Sequence, residues 1–163
     1  MPLDWIGITT KVFSSIGQRI FKRWLFEAEV VEGKYVVYIS NRGDSPYVDV
    51  WLSLRVHNRN NSPTTLYAER MTVKPNPGVE DSFPRPGIRH FGEFRPSASE
   101  HNRIEIGGSS TLEITFDSRK YFRELPKGYL EELPLDITVR VAETYGNHRE
   151  LTGRVECVQI LKQ

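Results

Sequence analysis

The chain has 163 residues, 38% hydrophobic and 11% aromatic, enough for one domain with a real core and no covalent staples. Its 22 lysines and arginines nearly balance 21 aspartates and glutamates, so it lacks the whole-protein field that would attract nucleic acid. The lone Cys157 can form no internal disulfide, and neither an apolar leader nor a run of about 20 apolar residues is visible, so a cytoplasmic location is expected.

From Thr10 to Phe26 the spacing predicts an amphipathic helix about 25 Å long. Val12, Phe13, Ile16, Ile20 and Trp24 fall within about 120° of one another, with Lys11, Arg19, Lys22 and Arg23 gathered opposite. Asp4 is the one acid in this stretch, which leaves residues 1–26 at +3. Such a helix is marginal alone in water and needs a cover. Residues 1–26 are therefore expected as a separate element ahead of a β domain at 27–163.

Beyond Phe26, β patterning takes over. Glu32-Gly33-Lys34 reads as a turn, followed by a strand at Tyr35 to Ser40 and a turn cluster at Asn41 to Pro46. Val48, Val50, Leu52, Leu54 and Val56 then alternate with Asp49, Trp51, Ser53, Arg55 and His57, the period of a strand with one buried face. Asn58 to Pro63 ends that strand, and another runs from Thr64 to Val73. The segment from Asn76 to Asn102 reads as long and irregular, interrupted by prolines. Strand signals return at Arg103–Ile106 and Thr111–Phe116, joined by Gly107-Gly108-Ser109-Ser110, where glycine is expected to supply a positive φ. Asp117 can cap a short helix from Ser118 to Leu125, ended by Pro126. Leu135–Thr144 and Arg149–Leu161 close the chain as a hairpin through Tyr145-Gly146-Asn147-His148. Cys157 falls in the last strand as a small buried thiol. The expected fold class is all-β, an immunoglobulin-like antiparallel sandwich of about seven strands behind the N-terminal amphipathic helix.

Two segments carry a family resemblance: LSLRVHNRNNSPTTL, with its Asn58-Arg59-Asn60 turn, and IEIGGSSTLEITFD, with its Gly108-Ser109 step. Together they resemble the immunoglobulin-like sandwiches of the late-embryogenesis-abundant, water-stress type, and are similar to bacterial and archaeal adhesion-type modules. The resemblance spans Val48 to Phe116 and departs at Arg59, where the water-stress families usually carry proline. It implies a non-catalytic sandwich and transfers no ligand or site residue.

Catalytic patterns are lacking. His57, His90, His101 and His148 show no metal-ligand spacing, and no nucleophile elbow, phosphate loop or dinucleotide fingerprint occurs. No enzyme activity, cofactor, metal or small-molecule substrate is inferred. Two binding candidates emerge instead. Between Arg85 and Arg103, Arg89 and Arg95 interleave with His90, Phe91 and Phe94, a set that can stack on bases or grip acidic peptides; Asp81, Glu93 and Glu100 dilute its charge, and the alternative is a long connection tied down by Phe91 and Phe94 at the core edge. On the helix, Val12, Ile16, Ile20 and Trp24 would fill a groove while Arg19 and Arg23 orient it at the rim. The cover can be the chain's own sandwich, with Trp51 as a floor, a protein partner or second copy, or an anionic membrane surface. The reading is a non-catalytic protein-binding or assembly module, with peripheral membrane association as the alternative.

Overall fold

The computed structural model describes residues 24–75, 78–91 and 101–162. Val12, Ile16, Arg19, Ile20 and Arg23 of the expected helix, and Phe94 and Arg95 of the expected binding loop, lie outside them. At the boundary, Trp24 and Leu25 are not helical and Phe26 already begins a strand.

Nine strands form among the described residues, two more than expected: β1 (Phe26–Ile39), β2 (Tyr47–Asn58), β3 (Thr64–Lys74), β4 (Asp81–Phe83), β5 (Gly87–His90), β6 (Arg103–Ile106), β7 (Thr111–Tyr121), β8 (Leu135–Glu143) and β9 (His148–Lys162). The first sheet runs β9-β1-β2-β7-β5, and the second runs β9-β8-β3, with β4 and β6 along the far edge of β3. β9 belongs to both. Its first half pairs antiparallel with β8 up to Val155, and its second half pairs parallel with β1 from Glu156. At the other side, Pro84-Arg85-Pro86 carries the chain from β4 in the second sheet to β5 in the first. The sheet therefore curls until its two ends are consecutive in sequence.

The alternating residues of β2 fill the space between the layers. Val48, Val50, Leu52, Leu54 and Val56 face Leu66, Met71 and Val73 of β3 and Ile137, Val139 and Val141 of β8 in one core cluster. Burial of each such side chain is worth about 1.5–3 kcal/mol, which gives the period-two pattern its force.

Four local expectations are corrected. Glu32-Gly33-Lys34 lies inside β1, just past a register shift between Val30 and Glu32, and makes no turn. Glycine is needed there for closeness: a Cβ on Gly33 would stand 2.6 Å from Arg154 O, and one on Gly153 would stand 2.7 Å from Leu52 Cδ1. The helix expected at Ser118–Leu125 is absent, because β7 continues to Tyr121. There β2 supplies backbone partners along its whole length, from Tyr47↔Tyr121 to His57↔Thr111. Only a 3₁₀ turn at Lys127–Tyr129 follows Pro126. The segment read as irregular holds β4 and β5, with Pro84 and Pro86 between them, where no ladder bond is lost. In the Gly107–Ser110 connection the positive φ (54°) belongs to Ser109. Gly108 is there for space, since a Cβ would meet Asn61 O at 2.0 Å.

Candidate interaction face

The two outer faces of the sandwich differ in chemistry. On the second sheet, Glu69 meets Arg140 (3.1 Å) and His148 (2.9 Å), Arg70 meets Glu150 (3.6 Å) and Arg154 meets Asp136 (3.3 Å). With Thr72 and Thr138 beside it, this is a solvated surface of mutually neutralising charges.

The first sheet presents the odd-numbered residues of β2, the ones its alternation turns away from the core. Register sets Tyr38 beside Tyr47, Tyr47 beside Tyr121, Asp49 beside Arg119, Trp51 beside Asp117, and Ser53 beside Thr115. Tyr38 and Tyr47 stack at 4.7 Å between ring centroids, and Tyr121 leans toward Tyr47 at 5.3 Å. Arg119 lies over the Tyr47 ring, 4.1 Å from its centroid, and donates Nε and Nη2 to the two oxygens of Asp49 at 2.6 and 2.8 Å. Those bonds hold the guanidinium proton more tightly than usual. Burial pushes the Tyr47 phenol above its ordinary range. Tyr121 itself is 59% exposed.

Toward the middle of the face, Ser53 and Thr115 share a buried hydrogen bond of 2.8 Å between their hydroxyls. Beside them Arg89 Nε stands 3.1 Å from Asp117 Oδ2. Burial raises the Asp117 pKa and nearby Asp49 adds to it, while Arg89 opposes them. Asp117 thus anchors an ion pair across β5 and β7 where a helix cap was expected. One residue past β5, Phe91 donates its N–H to Glu113 O at 3.0 Å and remains exposed. His90 is exposed and sits opposite Ile114.

Of the residues singled out from sequence, Arg89 and Phe91 therefore reach the rim of this face, with His90 beside them. Trp51 lies on it, half-buried, as its outward position implied. Trp24 is placed elsewhere, inside the chain's own core at 2% exposure instead of facing a partner. Its ring packs edge-on to Phe26 at 5.5 Å, with the Arg149 guanidinium 5.5 Å from its centroid. Its carbonyl accepts Arg59 Nη2 at 2.6 Å. Next to it the buried Glu143 accepts from Leu25 N at 3.3 Å and from Asn147 Nδ2, and burial raises its pKa.

The tyrosine row was missed in the sequence because its members come from three strands and only register unites them. Tyr47 heads an alternating strand and Tyr121 lies where a helix was expected, so no spacing rule links them. The turn after β1 completes the site: Tyr38, Asp44, Ser45, Tyr47 and Tyr121 line an open depression of about 500 Å³.

Elsewhere, Cys157 is half-buried, with its thiol pKa raised by that burial. Among the described residues, no group of three or more His, Cys, Asp or Glu is placed to hold a metal ion. Among those residues, too, no helix is long and apolar enough to cross a membrane.

No protein-family model matches the chain, and no curated protein does. Several solved structures are similar at low identity. A protein from Archaeoglobus fulgidus is 9% identical over 77% of this chain and 94% of its own, with a TM-score of 0.47. A FixG-related protein from Vibrio parahaemolyticus is 9% identical over 83% of this chain and 99% of its own, at 0.44. The ASH/PapD-like domain 7 of human CEP192 is 8% identical over 88% of this chain and 94% of its own, at 0.41. Such scores carry no functional argument, and the sandwich rests on its own strand pairing and shared core. The likeness to water-stress sandwiches rests on the two quoted segments alone.

Proposed function

We propose that this chain is a non-catalytic protein-interaction module and that a partner docks on the outer face of the first sheet. The observation that carries the reading is the asymmetry between the two outer faces. Both faces carry exposed ion pairs, on the first sheet Arg55 with Glu29 and Glu113, but only the first also gathers Tyr38, Tyr47, Tyr121, Trp51 and Phe91 with Arg89 and Arg119. Aromatic residues and arginine are enriched at the centres of protein interfaces, because they bury much area at little entropic cost and keep a polar tip for orientation. The pairs Arg119–Asp49 and Arg89–Asp117 hold those side chains in place before a partner arrives, which lowers the cost of ordering them on binding. Arg89 and Phe91 bring the end of β5 into the same surface, so the segment singled out from sequence contributes at its start.

Site-specific photocrosslinking in cells tests this reading. A photoreactive side chain in place of Tyr121 or Phe91 should yield discrete protein adducts, and the same group in place of Thr138 on the opposite face should not. Adducts absent from the first two positions, or equal at all three, would refute it.

A further inference from the structure

Register gives the outer face of the first sheet a symmetry that neither of its central strands shows alone. The outward residues of β2 and β7 stand opposite one another in rows: Tyr47 with Tyr121, Asp49 with Arg119, Ser53 with Thr115, and Arg55 with Glu113. Each of these rows matches a ring with a ring, a hydroxyl with a hydroxyl, or a charge with its opposite. Trp51 with Asp117 and His57 with Thr111 complete the set without such a match. In the Ser53–Thr115 row the next strands out add Glu32 of β1 and Arg89 of β5, again opposite in sign. A face whose charges change sign across a line is complementary to itself after a half-turn about that line. Here the line runs along the strands, between β2 and β7. The ion pairs remain open on their outward side: the Arg119 and Arg55 side chains are 46% and 47% exposed, although each already holds a carboxylate. Tyr47 is covered by the Tyr38 ring and the Arg119 guanidinium, so it offers a partner its edge. Tyr121 accepts from Arg119 Nη1 at 3.4 Å and still presents most of its ring.

We propose that the partner docking on this face is a second copy of the chain, packed about a two-fold axis that runs along the strands between β2 and β7. The proposal rests on the interaction reading above and names its partner. The half-turn lays the copy's β7 over β2. Asp49 then faces the copy's Arg119, Arg55 its Glu113, Glu32 its Arg89 and Tyr121 its Tyr47, and each contact occurs twice. Carboxylates gain a second guanidinium, and no like charges meet in these rows. Sheets packed face to face keep their strands within about 30° of one another, so rows close to the axis stay matched. The face spans the eleven residues Tyr47–His57 along β2 and reaches from β1 to β5. At ordinary strand dimensions that is on the order of 600 Å², near the ~800 Å² per partner of a standard interface. The charges set register and orientation, while the Tyr121 and Trp51 rings supply apolar area. Because the ion pairs are partly exposed, salt should weaken the dimer.

Sedimentation velocity of the full chain tests this. The wild type should form a concentration-dependent dimer that weakens as salt rises. Tyr121→Lys alters a side chain that is exposed in the single chain, and should raise the dissociation constant at least about tenfold. Thr138→Lys on the second sheet should leave it unchanged. The sharpest variant exchanges one pair, Asp49→Arg with Arg119→Asp, and so keeps an ion pair within the chain. About the proposed axis its own dimer regains every charge match, so it should still dimerise. Mixed with affinity-tagged wild type it should form few mixed dimers, because positions 49 and 119 then face each other with like charge. If thermal melts show that this variant does not fold, the exchange Arg55→Glu with Glu113→Arg carries the same test. A wild type that stays monomeric, an exchange variant that folds but stays monomeric, or mixed dimers as abundant as like ones would overturn the proposal. Crosslinking from Tyr121 separates it from the reading it rests on. Adducts of twice the chain's mass support both. Adducts of other masses alone mean that a different protein occupies the face and the second copy is wrong. If no adducts form, the interaction reading has failed.

Discussion

The two turns at the ends of β2 have almost the same composition and opposite fates. Asn41-Arg42-Gly43-Asp44-Ser45-Pro46 precedes the strand and Asn58-Arg59-Asn60-Asn61-Ser62-Pro63 follows it. Five of the first six residues are exposed, and this turn delivers Asp44 and Ser45 to the tyrosine-lined depression. The second turn is a structural node. Asn58 is fully buried, its Nδ2 donates to Ser62 O, Ile106 O and Gly107 O at 3.1, 3.0 and 3.2 Å, and its Oδ1 accepts from Asn60 N at 2.9 Å. Arg59 ties the same turn to the start of β1, its N–H donating to Leu25 O at 2.8 Å. The difference teaches that turn-forming residues end a strand wherever they stand. Whether the turn then knits the fold or presents a surface depends on which side chain the strand's parity sends inward.

Substitutions can break this contrast, beginning with the largest effect. Gly108→Ala drives a Cβ into the Asn61–Ser62 backbone of the turn after β2, which cannot yield as a flexible side chain would. We expect a loss of about 4 kcal/mol in denaturant unfolding, much of a typical domain's stability. Asn58→Ala leaves three carbonyls and one N–H of the node without this partner, and should cost about 3 kcal/mol by the same measurement. At the exposed turn, Gly43→Ala meets nothing within 4 Å and pays only for its φ of 87°, so about 1 kcal/mol is expected. Equal losses at Gly43 and Gly108 would abolish the distinction.

A smaller effect sharpens the picture of the buried end. Burial raises the Glu143 pKa above its usual 4.5, so the folded chain holds that proton more tightly than the unfolded one. The stabilisation this brings is present at low pH and is lost as pH climbs from about 4.5 through the raised folded value. Relative to Glu143→Gln, the wild-type chain should therefore lose stability as pH rises across that window. Thermal melts of the pair at stepped pH check it; a difference that stays constant would mean that Glu143 is ionised alike in both states.

Much of the strand layout was legible before any coordinates, but the contact between the two quoted segments was not. HNRNNSP and IGGSS prove to be one packed node, with Ser109 N donating to Asn60 O at 2.8 Å. The legible parts share a cause: alternation over many residues reports burial directly. The illegible parts share another. β7 past Asp117, the bulge between Val30 and Glu32 and the tyrosine row all depend on what lies across the sheet, and local propensity carries no record of a cross-strand neighbour.

The sequence alone determined that β2 would bury Leu52 and Leu54, that Asn58 and Pro63 would bound a turn, and that charge would be evenly balanced. These follow from side-chain period and composition, which act within a few residues of the chain. Only the tertiary structure decided that Trp24 would enter the core, that Asp117 would pair with Arg89, and that Tyr38, Tyr47 and Tyr121 would meet. The reason is geometric: tertiary packing and register bring together residues that no local spacing links, and a shift of one residue in a strand would have turned its side chains to the other face of the sheet.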